Sequence, residues 1–132
     1  MPPTVSAARW PLLLPASLPG VVKIDGIWPF RGSIIWRTPE EGGRMSGPPA
    51  PSAMQDYATT AFVPPATVDT GLASFAVRGF EAGAWQSRAE GRWLFPDEVE
   101  VDRSIDVGTV LVITEGRKVV GHFRVEQVLT EP

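Results

Sequence analysis

Cysteine is absent, and histidine and tyrosine occur once each, as His122 and Tyr57. Without cysteine there is no disulfide, no thiolate metal site and no cysteine nucleophile. A metal centre or triad around His122 would need several converging partners. Its place on the polar face of the last expected strand reads instead as a solvent-facing side chain. No apolar run approaches the length of a membrane span. The run Leu12–Leu14, held between Pro11 and Pro15, is too short for the core of a secretion signal and lacks a lysine-rich start. The cytoplasm is therefore the expected compartment. No Gly-x-x-x-x-Gly-Lys-Ser/Thr loop occurs, which removes the backbone cradle that GTP requires. Positive charge is also scarce: the formal net charge is −3, against the basic surplus of domains that hold nucleic acid by bulk electrostatics.

What is present points to strands and turns. The 132 residues have room for one domain and one core. The apolar fraction, 43%, is that of a globular chain. Proline (14) and glycine (13) are too frequent for long helices. Residues 1–20 hold five of the prolines and form an expected irregular arm, whose Trp10 and Leu12–Leu14 could dock on the body. From residue 21 onward, short β-branched or alternating runs are separated by turn signals. They are Val21–Ile24, Ser33–Arg37, Tyr57–Val63, Leu72–Val77, Gln86–Phe95, Thr109–Thr114 and Val119–Val128. The last two flank Glu115–Lys118 and read as a hairpin. Its second strand sets Val119, Gly121, Phe123 and Val125 on the core face and Val120, His122, Arg124 and Glu126 on the other. No segment carries a 3.6-residue period. The expected fold is all-β, either a sandwich or a closed barrel.

Two stretches carry a family resemblance. Ser33–Ser46 reads Ser-Ile-Ile-Trp-Arg-Thr-Pro-Glu-Glu-Gly-Gly-Arg-Met-Ser, and Val112–Gly121 reads Val-Ile-Thr-Glu-Gly-Arg-Lys-Val-Val-Gly. In order and spacing these resemble the first and last hairpins of the C-terminal β-barrel, domain three, of bacterial elongation factor Tu. The resemblance spans roughly residues 21–129 and implies a small antiparallel β-barrel of about six strands over 21–132. It also implies that the two turns lie near each other. In that family they contribute contacts to tRNA. Arg44, Glu115 and Gly116 match the family pattern; Met45, Ser46, Arg117 and Lys118 replace its residues, and Tyr57-Ala58-Thr59 stands where a Tyr-Arg-Pro signature is found. Neither a GTPase domain nor the second barrel is present in this sequence. Fold resemblance alone does not carry the ligand over.

The remaining chemistry is sparse. Asp97, Glu98, Glu100 and Asp102 form an acidic run suited to a solvated edge. Carboxylate hydrolysis through Glu98 and Glu100 would need a pocket around them. Arg31, Arg37, Arg44, Arg117, Lys118 and Arg124 supply cations near the family-like turns, balanced by Glu40, Glu41 and Glu115. Of five tryptophans, Trp36 and Trp93 lie within strands and are expected in the core, whereas Trp28 and Trp85 lie in turns and are expected on a partner surface. The expected function is that of a non-catalytic module without cofactor or metal, binding a protein partner. The alternative is an RNA- or tRNA-binding module. The residues singled out for binding are Trp28, Arg44, Trp85, Glu115, Gly116, Arg117 and Lys118. Calorimetric titration with GTP should give no saturable heat; saturable binding would overturn this reading of the missing phosphate loop.

Overall fold

Proline and glycine cut the chain where the strands end, and what lies between them pairs edge to edge. A computed structural model describes residues 24, 26–50, 56–96 and 105–129. Six strands form: β1 (Phe30–Trp36), β2 (Tyr57–Phe62), β3 (Ala73–Arg78), β4 (Gln86–Trp93), β5 (Val110–Glu115) and β6 (Lys118–Val128). They make a closed antiparallel barrel in the order β1-β4-β3-β2-β5-β6, with β1 also paired to β6. The expected all-β class and six-strand antiparallel barrel are both observed. Each strand matches an expected run to within about three residues at either end, the usual uncertainty of strand boundaries. The one helical element among the described residues is a single 3₁₀ turn, Pro39–Glu41. No helix there is long and apolar enough to cross a membrane. The N-terminal arm, the run Val21–Ile24 except for Ile24, and the acidic cluster Asp97–Asp102 lie outside the described residues.

Alternation fills the interior. Phe30, Ile34 and Trp36 point inward from β1 and meet Phe75, Trp93, Leu111 and Phe123 from the other strands. Phe75 is fully buried, its ring 5.0 Å from that of Trp93 and 5.9 Å from that of Phe123. Burying such a ring contributes roughly 1.5–3 kcal/mol. Gly91 makes room for it, because a Cβ there would stand 2.6 Å from the Phe75 ring. The β2–β5 seam is the shortest, pairing only Thr60–Phe62 with Val112–Thr114. Hydroxyls reinforce it: Thr59 and Thr60 donate to the Thr114 carbonyl, and the Thr60 and Thr114 hydroxyls are 2.6 Å apart.

Two sequence expectations are corrected. The first concerns β6. Thr114 pairs with Val119 but Ile113 pairs with Gly121, so Val120 is the extra residue of a β-bulge. The bulge turns Val120 fully into the core and leaves Val119 half-buried; strict alternation had placed them the other way round. Beyond it Phe123 and Val125 are buried and Arg124 is exposed, as expected, while His122 is half-covered rather than open. The second concerns Trp28, which is 3% exposed and offers no partner surface. Its indole nitrogen donates to the Ile24 carbonyl at 3.2 Å, and the Arg78 guanidinium lies 4.3 Å over its ring. The Ile24 amide in turn donates to the buried Asp56 carboxylate at 2.7 Å, which straps this segment onto the barrel wall. Trp36 and Trp93 are core residues, as expected.

The bulge gives a direct test. Val120→Thr should cost about 1–3 kcal/mol by burying an unpaired hydroxyl, and Val119→Thr about 0.5 kcal/mol or less. Phe123→Ala should cost about 3–5 kcal/mol through the cavity it leaves. Chemical denaturation that ranked Val119 above Val120 would show the bulge to be misplaced.

Candidate functional site

Antiparallel order brings the β1–β2 loop, the β3–β4 loop and the β5–β6 hairpin to one end of the barrel. Six of the seven residues singled out from sequence lie there: Arg44, Trp85, Glu115, Gly116, Arg117 and Lys118. The seventh, Trp28, lies in the strap on the barrel wall. The rim is organised locally first. Thr38 caps the 3₁₀ turn reciprocally, its hydroxyl accepting from the Glu41 amide at 3.2 Å while the Glu41 carboxylate accepts from the Thr38 amide at 2.9 Å. These bonds hold the Glu41 carboxyl below its ordinary range. Gly116, at φ +63°, makes the tight hairpin turn between β5 and β6.

The rim is then tied across the barrel mouth. The Arg44 guanidinium sits 2.8 Å from a Glu115 carboxylate oxygen, and the Tyr57 hydroxyl donates to that same carboxylate. Burial, and then the Glu115 bond, push the Tyr57 hydroxyl well above its usual range, so it stays protonated as a donor. The Tyr57 ring packs edge-on against Trp36 at 5.6 Å and lies 6.4 Å from Phe80, while Trp36 and Phe80 are 5.5 Å apart; the three rings plug the mouth. Lys118 reaches the Gly43 carbonyl at 3.4 Å, and Arg44 donates to the Gly47 carbonyl at 2.9 Å. The first and last turns are thus held together, as the resemblance implied. Arg117 turns aside and pairs with Asp69 at 2.5 Å, with both side chains open to solvent. The network does not form a basic patch, because Arg44 and Arg117 are each matched by a carboxylate.

Apolar side chains are open at this end as well. Trp85 is 43% exposed, and its carbonyl accepts from the Trp36 amide at 2.8 Å, which fixes its backbone to β1. Its ring lies close to Gly47 of the β1–β2 loop. Met45, two residues away in the same loop, is 79% exposed. Ile35 projects outward where β1 pairs with Gln86, the residue after Trp85, and is 41% exposed. Trp85 is legible in the sequence from its turn position, whereas Met45 carries only the signal of an apolar residue standing where the resembled pattern has a polar one. Among the described residues no three metal-ligating side chains come together. No protein-family model matches the chain, and neither a curated protein nor a solved structure matches it.

His122, paired with Ile35 on the outer wall, supplies a pH dependence. Burial, and then the nearby Arg37, lower its pKa below 6.5, with Glu41 opposing. Below 6.5 the unfolded chain takes up a proton at His122 that the folded chain resists, so stability is lost as pH falls through that window. The midpoint of thermal unfolding should therefore drop between about pH 7.5 and about pH 5.5, and His122→Gln should flatten the slope. An unchanged slope in the variant would contradict this assignment.

Proposed function

We propose that this chain is a non-catalytic barrel module, of the kind found as domain three of elongation factor Tu, that binds a protein partner through the loop end of the barrel. The observation that carries the reading is the apolar surface of Trp85 and Met45, open to solvent yet mounted on a fixed rim. Exposed aromatic and methionine side chains are the residue types enriched at interface centres. A fixed backbone reduces the ordering cost of binding. The six-strand closure and the meeting of Arg44 with Glu115 support the translation-factor likeness. A cytoplasmic setting suits a cysteine-free chain.

RNA binding at Arg44, Arg117 and Lys118 draws less support. Phosphate binding gains from counterion release only where cations are uncompensated, and here two of the three face carboxylates. Titration with bulk tRNA at physiological salt should give a dissociation constant of about 10⁻⁴ M or weaker.

The test is affinity capture from native cells, followed by reconstitution with the purified captured protein. Trp85→Glu should abolish that binding while leaving the circular dichroism of the barrel unchanged. Binding that survives Trp85→Glu at full strength, or micromolar tRNA binding lost in an Arg44→Ala, Lys118→Ala double variant, would overturn the reading.

A further inference from the structure

A second surface lies on the barrel wall, away from the mouth, and its chemistry is different. Ser33 projects outward from β1, paired with Arg88 of β4 on one side and Arg124 of β6 on the other. The two arginines therefore flank it with Cα atoms about 10 Å apart, two inter-strand spacings. Both are exposed, and their guanidinium groups make no ion pair or hydrogen bond among the described residues. Next to them a shallow groove of about 560 Å³ runs between Arg31, Arg88, Glu90, Glu126 and Gln127.

The carboxylates of this groove are already engaged. Glu90 gives one oxygen to Arg78 at 2.8 Å and the other to Arg31 at 3.3 Å. Glu126 accepts from the Ser33 hydroxyl at 2.9 Å. Four arginines, 31, 78, 88 and 124, thus face two carboxylates, a local excess of two positive charges on a chain of net charge −3. Gly79 and Ala89 keep the groove open, and no aromatic side chain among the described residues lines it. Single-stranded nucleic acid usually needs stacking platforms that are missing here. Guanidinium forks match carboxylates in a bidentate manner. An extended peptide presents alternate side chains on one face about 6.6–7 Å apart, a separation that two flexible arginines at this spacing can meet.

We infer that the β4–β1–β6 wall binds an extended acidic peptide segment of a protein partner, with Arg88 and Arg124 taking carboxylates at alternate positions. This surface is distinct from the Trp85 end, so either proposal can fail without the other. The probe is a fluorescein-labelled peptide of alternating glutamate and glycine, followed by anisotropy at low salt with the intact chain. Saturable binding is expected. An Arg88→Gln, Arg124→Gln double variant should weaken it by about tenfold or more, the scale of losing charge-assisted hydrogen bonds. Arg88→Glu alone should act in the same direction. Arg37→Gln, which removes an equal charge at the loop end, should leave it unchanged. Near-ultraviolet circular dichroism confirms that each variant keeps its barrel. The inference is overturned by non-saturable peptide binding, by equal weakening in Arg37→Gln, or by oligothymidylate binding more tightly than the peptide.

Discussion

The structure depends on β1 being hydrogen-bonded along both edges. Phe30–Ile35 pairs with Gly91–Gln86 of β4, and Phe30–Trp36 pairs with Val128–Gly121 of β6. These two seams join elements distant in sequence, and without either the sheet would have open edges. Close approach makes the double pairing possible. A Cβ at Gly32 would fall 1.8 Å from the Arg124 carbonyl oxygen, and one at Gly121 would fall 2.8 Å from the Ile35 carbonyl oxygen. Closure removes the edges that invite aggregation, and it fixes the radius that the rings of Phe75, Trp93 and Phe123 fill.

Both proposed surfaces follow from this closure. At the loop end it sets Tyr57, Trp36 and Phe80 against one another and leaves the Glu115 carboxylate where Tyr57 and Arg44 reach it. Two cations that looked available in the sequence, Arg44 and Arg117, are paired with carboxylates there, and Trp85 and Met45 supply exposed apolar surface beside them. On the wall the same closure has the opposite effect. It sets Arg88 and Arg124 on either side of Ser33 without an ion pair among the described residues, although the chain as a whole is acidic. The distribution of free charge therefore reflects strand register rather than composition.

The sequence shows the strands because proline and glycine stop them and alternation marks their faces. It does not show the bulge, since Val119 and Val120 are chemically identical and only pairing with β5 decides which one turns inward. It misleads at Trp28, whose neighbours Pro29 and Phe30 suggest a surface turn; its cover comes from Arg78, fifty positions along the chain. The meeting of Arg44 with Glu115 was legible only through the family resemblance, because nothing local to either turn encodes it. The flanking of Ser33 by Arg88 and Arg124 needs both long-range registers of β1, which no local pattern specifies.

The closed barrel requires β1 to hold both neighbours at once. Nuclear magnetic resonance of the isotopically labelled protein tests this most directly, through cross-strand backbone contacts from Ser33 and Ile34. Closure requires contacts from Ser33 to both Arg88 and Arg124, and from Ile34 to both Ser87 and Phe123. Contacts to one side only, with the other edge of β1 exchanging its amides freely with solvent, would contradict a closed barrel and both of the surfaces it positions.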